Sequence, residues 1–140
     1  MTSFAPIFVP SALREAVSDE SWFAAMLDAE RALAHAEASA GAIPQDAATA
    51  IEECCEAARF DLAALSAEGR AVGNPAEPLV RALREQAGDA APYVHFGATS
   101  QDVVDTAAML VARNAVALIA EDADIALTLE FTSARPSTSL

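Results

Sequence analysis

Apolar residues recur at helical spacing through most of this chain. Between residues 20 and 40, Trp22, Met26, Ala29, Leu33, Ala36 and Ala40 fall four or three apart and form one stripe on a helix. Ser18 and Asp19 offer N-caps for it, Gly41 is placed as its stop, and Pro44 suits the first turn of the next helix. The same reading predicts helices over about 44–58, 61–71 and 76–87, the last carrying Leu79, Val80 and Leu83 on one side. Gly73-Asn74-Pro75 is a break, and 88–98 reads as a loop. A final helix starts at Thr99, with Thr99 and Asp102 at capping-box spacing. Its apolar face runs Val104, Ala108, Val111, Ala115, Leu118, Ile125 and Leu129. At about thirty residues, or roughly 45 Å, it is too long for one small domain to cover, so it is expected to pack on other helices or other chains.

The two ends read differently. Residues 1–10 look extended and anchored by Phe4, Ile7, Phe8 and Val9, and 11–17 form a short helix. From Thr128 the sequence turns to Ser, Thr and Pro, and the period is lost. The expected organisation is a helical unit at 1–127 and a disordered tail at 128–140.

Composition sharpens this to an all-α fold. Of 140 residues, 54% are hydrophobic but only 6% aromatic, and alanine dominates. Alanine loses no side-chain entropy in a helix. The formal net charge is −13 and all eight Lys+Arg residues are arginines; the acidic balance argues against nucleic acid or an anionic membrane as partner. An anionic substrate would need a local positive site.

The cysteines, Cys54 and Cys55, are neighbours. That placement argues against a mutual disulfide and supplies too few ligands for a structural zinc, so they read as small buried side chains. No metal site and no cofactor is expected. There is no signal-peptide pattern, and no segment reads as continuously apolar enough to span a bilayer, so the chain is expected to be cytoplasmic.

The chemistry concentrates in residues 95–106, HFGATSQDVVDT. A Gly-containing loop brings a histidine and a Thr-Ser pair to a helix start, where hydroxyls and unpaired N–H groups seat a carboxylate. Thr99 and Ser100 are the candidate ligands, and His95 is the candidate to touch substrate from the same loop. Asn74, between Gly and Pro, carries an amide that could bind a carboxylate oxygen, against the plainer role of a turn residue. Gln101 and Asp102 read as shaping the helix start. Arg70 and Arg113 read as solvated. Glu30 and Glu37 fall near the apolar stripe and suggest a subunit contact rather than catalysis.

Three stretches together resemble the N-terminal domain of the fumarase/aspartase superfamily: AMLDAERALAHAEASAGAIP at 25–44, GNPAEPLVRAL at 73–83 and VHFGATSQDVVDTA at 94–107. The third is the most specific. Within the superfamily the likeness is to the 3-carboxy-cis,cis-muconate cycloisomerases, ahead of the adenylosuccinate lyases, which carry His-Asp where this chain has Asn74-Pro75. The resemblance implies an all-helical homo-oligomer, a small polycarboxylate substrate, no cofactor, and a carboxylate bound by Thr99 and Ser100. It also implies a site shared between subunits, and a long bundle helix beginning near Thr99. The superfamily's Gly-Arg-Thr-like segment and its catalytic serine loop have no counterpart here, so turnover by this chain alone is not expected. A truncation, a shifted reading frame or an artificial scar would each account for the tail.

Overall fold

A computed structural model describes residues 5–133, with side chains at 7–56 and 58–125. Its elements are helices α1 (Ala5–Phe8), α2 (Ser11–Ala16), α3 (Asp19–Ser39), α4 (Gln45–Cys54), α5 (Leu62–Val72), α6 (Ala76–Gln86) and α7 (Ser100–Ser133), with 3-10 turns at Ala57–Arg59 and Gly88–Tyr93. No strand occurs among the described residues.

Local chemistry explains the boundaries. The Ser18 hydroxyl accepts from the Ser21 N–H at 3.3 Å and caps α3, with Asp19 and Glu20 in the first turn on the favourable side of the helix dipole. Asp61 caps α5 by accepting from the Ala64 N–H at 3.0 Å. At the end of α5, Gly73 adopts φ +73°, and the Asn74 N–H returns to the Gly69 carbonyl at 3.1 Å. A Cβ on Gly69 would sit 3.2 Å from Pro75 Cα, a tight contact that would press on the returning backbone.

Helix α3 is the central element. It packs along α7 on one side and α4 on the other, while α6 packs on α5, α7 and the Gly88–Tyr93 turn. The core joins Met26 and Leu27 of α3, Ile51 of α4, Leu79 and Leu83 of α6, Val94, and Val103, Ala107 and Val111 of α7. Phe23 meets Phe60 edge to face at 5.5 Å. Both cysteines are free and buried. The Cys54 thiol faces the Gln86 carbonyl at 3.5 Å, the Cys55 carbonyl accepts from Arg31, and burial pushes the Cys55 thiol up to about 12.

Several expectations need correction. The start is not extended: Ala5–Phe8 makes a helical turn, and Ile7 and Phe8 are exposed at 71% and 78%, so neither anchors it. Phe4 lies outside the described residues. Helix α4 stops at Cys54, and a 3-10 turn follows. The buried side of α3 is Phe23, Ala25, Met26, Leu27, Glu30 and Ala34, while Ala36 and Ala40 are exposed, because α4 and α7 cover it from two directions. Helix α7 continues through Ser133, so the irregular stretch expected from Thr128 begins as helix; residues 134–140 lie outside the described ones. Leu129 has no described side chain, and Ile125, expected on the apolar face, is 59% exposed. By length and composition Ser100–Ile125 is apolar enough to cross a bilayer, contrary to the sequence reading; its first turns instead bury Val103, Ala107 and Val111.

Leu83 is fully buried in the core. Leu83→Ala should cost about 2–5 kcal/mol in urea unfolding. Val72→Ala, at a side chain 53% exposed on α5, should stay within about 0.5 kcal/mol.

Candidate active site

The 94–100 segment is held from three directions. Behind it, Val94 is fully buried, and its carbonyl accepts from Arg84 of α6 at 3.2 Å. In the middle, His95 adopts φ +58° and Gly97 φ +70°, a left-handed pair that turns the chain sharply toward α7. Glycine takes that conformation freely, but in histidine it is strained and persists only when the surroundings hold it. The restraint is a side-chain contact: His95 Nδ1 lies 2.6 Å from Glu30 Oε1. Both side chains are removed from solvent, at 10% and 1% exposure.

The acid cluster extends further. Glu30 Oε2 and Glu37 Oε2 are buried without a hydrogen-bond partner among the described residues. Burial pushes the Glu30 carboxyl above the ordinary glutamate range, while His95 and then Arg84 pull it back. Burial, reinforced by the charge of Glu30, raises Glu37 as well. Sequence reading assigned both residues to a subunit contact. Glu30 instead faces the interior of its own chain. It occupies a turn of the buried stripe between Leu27 and Ala34, and an acid at a core position of an apolar stripe was the available signal.

At the start of α7 the expected capping box is present. Asp102 Oδ2 accepts from the Thr99 N–H at 2.8 Å and from its hydroxyl at 2.9 Å, and the Asp102 N–H reaches the Thr99 carbonyl at 3.0 Å. The backbone and then the side-chain bond from Thr99 hold the Asp102 carboxyl below the ordinary aspartate range. Thr99 is exposed and Ser100 half-buried in the first turn. His95, Thr99 and Ser100 therefore share one short loop, as expected.

Asn74 is elsewhere. Its Oδ1 accepts from the Ala76 N–H at 2.9 Å, the turn role, and the residue lines a cavity of about 400 Å³ with Trp22, Met26, Leu65 and Arg70. None of His95, Thr99 or Ser100 lines that cavity.

Comparison with known proteins settles the lineage. The sequence matches the family described as "Lyase" over residues 9–134. The chain belongs to the lyases of the fumarase/aspartase superfamily. Among curated superfamily members, the 3-carboxy-cis,cis-muconate cycloisomerase of Bradyrhizobium diazoefficiens is 47% identical over 130 residues, covering 90% of this chain and 28% of that protein. The nitrosuccinate lyase of Streptomyces davaonensis is 46% identical over 123 residues, covering 85% of this chain and 26% of that one. The crystal structure of the 3-carboxy-cis,cis-muconate lactonizing enzyme of Pseudomonas putida superposes with a TM-score of 0.81 at 46% identity, covering 85% of this chain and 28% of that one. The chain thus spans under a third of the length of these relatives.

Thr99→Ala should cost about 1 kcal/mol through loss of the cap. The Asp102 contribution has a definite pH sign. Because its folded carboxyl lies below the ordinary range, its stabilisation is full above that range and is lost as pH falls through the lowered folded value. Wild type should therefore melt above Asp102→Asn near neutral pH, with the gap closing in strong acid in a series of melting curves.

Proposed function

We propose that this chain is the carboxylate-binding segment of a 3-carboxy-cis,cis-muconate cycloisomerase, acting in aromatic-acid breakdown. The observation that carries the reading is the loop at the start of α7, where His95, Thr99 and Ser100 are brought together. Cycloisomerases among the relatives, in sequence and in structure, support it. Adenylosuccinate-type cleavage is the weaker reading, because Asn74-Pro75 stands where those lyases carry His-Asp. A lyase of nitrosuccinate among the relatives keeps the reaction class at addition to, or elimination from, a small polycarboxylate.

In this reading the N–H groups of the first turn of α7 and the Ser100 hydroxyl take one substrate carboxylate. The Thr99 hydroxyl already donates to Asp102, so Thr99 contributes chiefly by fixing the turn. A second substrate carboxylate adds across the double bond, and charge collects on a neighbouring carboxylate in an aci form, where hydrogen-bond donors lower the barrier. His95 is the candidate proton carrier. No cofactor enters. The remaining groups come from other segments and other subunits, so residues 1–127 supply part of a site. Asn74 binds substrate only if a partner segment brings the ligand to it.

Assembly follows from α7. Met109, Val116, Ile119 and Ile125 are exposed at 67%, 63%, 52% and 59%, and burying such a face on a second copy favours a homo-oligomer. The excess of acid keeps the assembly away from nucleic acid, and a cytoplasmic location fits a soluble catabolic enzyme.

Titrating the isotopically labelled chain with 3-carboxy-cis,cis-muconate should shift the amide signals of residues 97–101 in a saturable way, with no lactone formed by the isolated chain. Thr99→Ala combined with Ser100→Ala should abolish those shifts while leaving the helical circular dichroism intact. Unchanged binding in the double variant would overturn the assignment, and rapid lactone formation would show that the chain is catalytically self-sufficient. Sedimentation at micromolar concentration should show self-association that Val116→Glu with Ile119→Glu disrupts; a clean wild-type monomer would count against the interface.

A further inference from the structure

The Glu30–His95 contact is expensive twice over. It places a carboxyl in the core with one oxygen unpartnered, and it holds a non-glycine residue at φ +58°. An apolar residue at 30 would continue the stripe of Leu27 and Ala34 at no such cost. Strain and desolvation meeting at one contact, inside the loop that carries the candidate ligands, ask for a return beyond packing.

The ring chemistry supplies one. Imidazole has two nitrogens, and the partner of one decides the role of the other. Nδ1 faces Glu30 at 2.6 Å, and among the described residues no hydrogen bond engages Nε2. An ionised carboxylate only accepts, so it keeps the proton on Nδ1 and leaves the Nε2 lone pair open. When Nε2 then takes up a proton, the same carboxylate faces the resulting positive charge and stabilises it. A carboxylate behind a histidine does this wherever the outer nitrogen must carry a proton.

We propose that Glu30 is the positioning residue for His95, fixing its Nδ1–H tautomer so that Nε2 is the nitrogen that takes up a proton and, once protonated, donates to a bound carboxylate. This rests on the proposed carboxylate-binding role of the loop. The charged and titratable groups around the pair are Glu37 on the same helix, Arg84 from α6, Asp102 from α7 and the Cys55 thiol after α4. Arg84 favours the ionised form of Glu30. The charge of Glu30 in turn raises the Glu37 carboxyl.

The test is unusually clean because the chain has only two histidines. His35 is 70% exposed, its Nδ1 3.3 Å from Glu52, and it serves as the histidine that a change at Glu30 should leave untouched. Long-range proton–nitrogen correlation spectra of the chain, without ligand, identify which ring nitrogen bears the proton. The expected result is the Nδ1–H form for His95. In Glu30→Gln, whose amide can donate as well as accept, the Nδ1–H preference of His95 should be lost while His35 is unchanged. A wild-type His95 in the Nε2–H form would overturn the proposal, and that measurement needs no variant to fold. An unchanged tautomer in folded Glu30→Gln would overturn it too.

Adding carboxymuconate separates the two readings. Shifts at the Thr99 and Ser100 amides together with His95 Nε2 in wild type, with the Nε2 response lost in Glu30→Gln, support both. Amide shifts without any Nε2 response overturn the role of Glu30. Absence of amide shifts overturns the carboxylate-binding reading while the tautomer result stands on its own.

Discussion

One buried contact, Glu30 to His95, ties the midpoint of α3 to a loop sixty-five residues further along the chain. Helix α3 lies between α4 and α7, so a restraint on it is felt through most of the core. The loop it restrains leads directly into α7, and its other side is held by Arg84 of α6 at the Val94 carbonyl. Three helices thus converge on a stretch of seven residues. The direction in which α7 leaves the domain, and the direction in which its first N–H groups point, both follow from that convergence.

The same arrangement divides labour among polar groups. Thr99 and Asp102 satisfy each other and make the helix start rigid. Asn74 satisfies the Ala76 N–H and closes the turn after α5. Each is spent on geometry, and in the proposed reading Ser100, the backbone of the first turn and the outer nitrogen of His95 remain to meet a ligand. Rigid support behind a few open polar groups is the arrangement in which electrostatic stabilisation works best, because nothing has to reorganise when charge develops.

Much of this was legible in the sequence because it is local. Caps, glycine stops and the Asn-Pro break act within four or five residues, and the HFGATSQDVVDT run combines such signals in one place. The helices at 19–39, 62–72 and 76–86 follow almost residue for residue. What was not legible depends on distant partners. The stripe on α3 was drawn through alanines 36 and 40, which stay exposed, because apolar letters alone do not tell which side two neighbouring helices will cover. Glu30 was passed over for the same reason: its burial becomes sensible only once His95 is known to lie against it. Asn74 and Thr99 lie close in kind but not in place, and only the fold separates them.

The cysteine pair has a practical consequence. Both residues are buried at the end of α4, Cys54 against the Gln86 carbonyl, and Cys55 is held almost wholly in its unreactive protonated form. In the closed fold they are chemically silent. A thiol reagent therefore meets them only when the packing of α4 on its neighbours opens, and the rate of modification becomes a clock for that opening. The chain carries its own gauge of how often this side of the core breathes, with no label added.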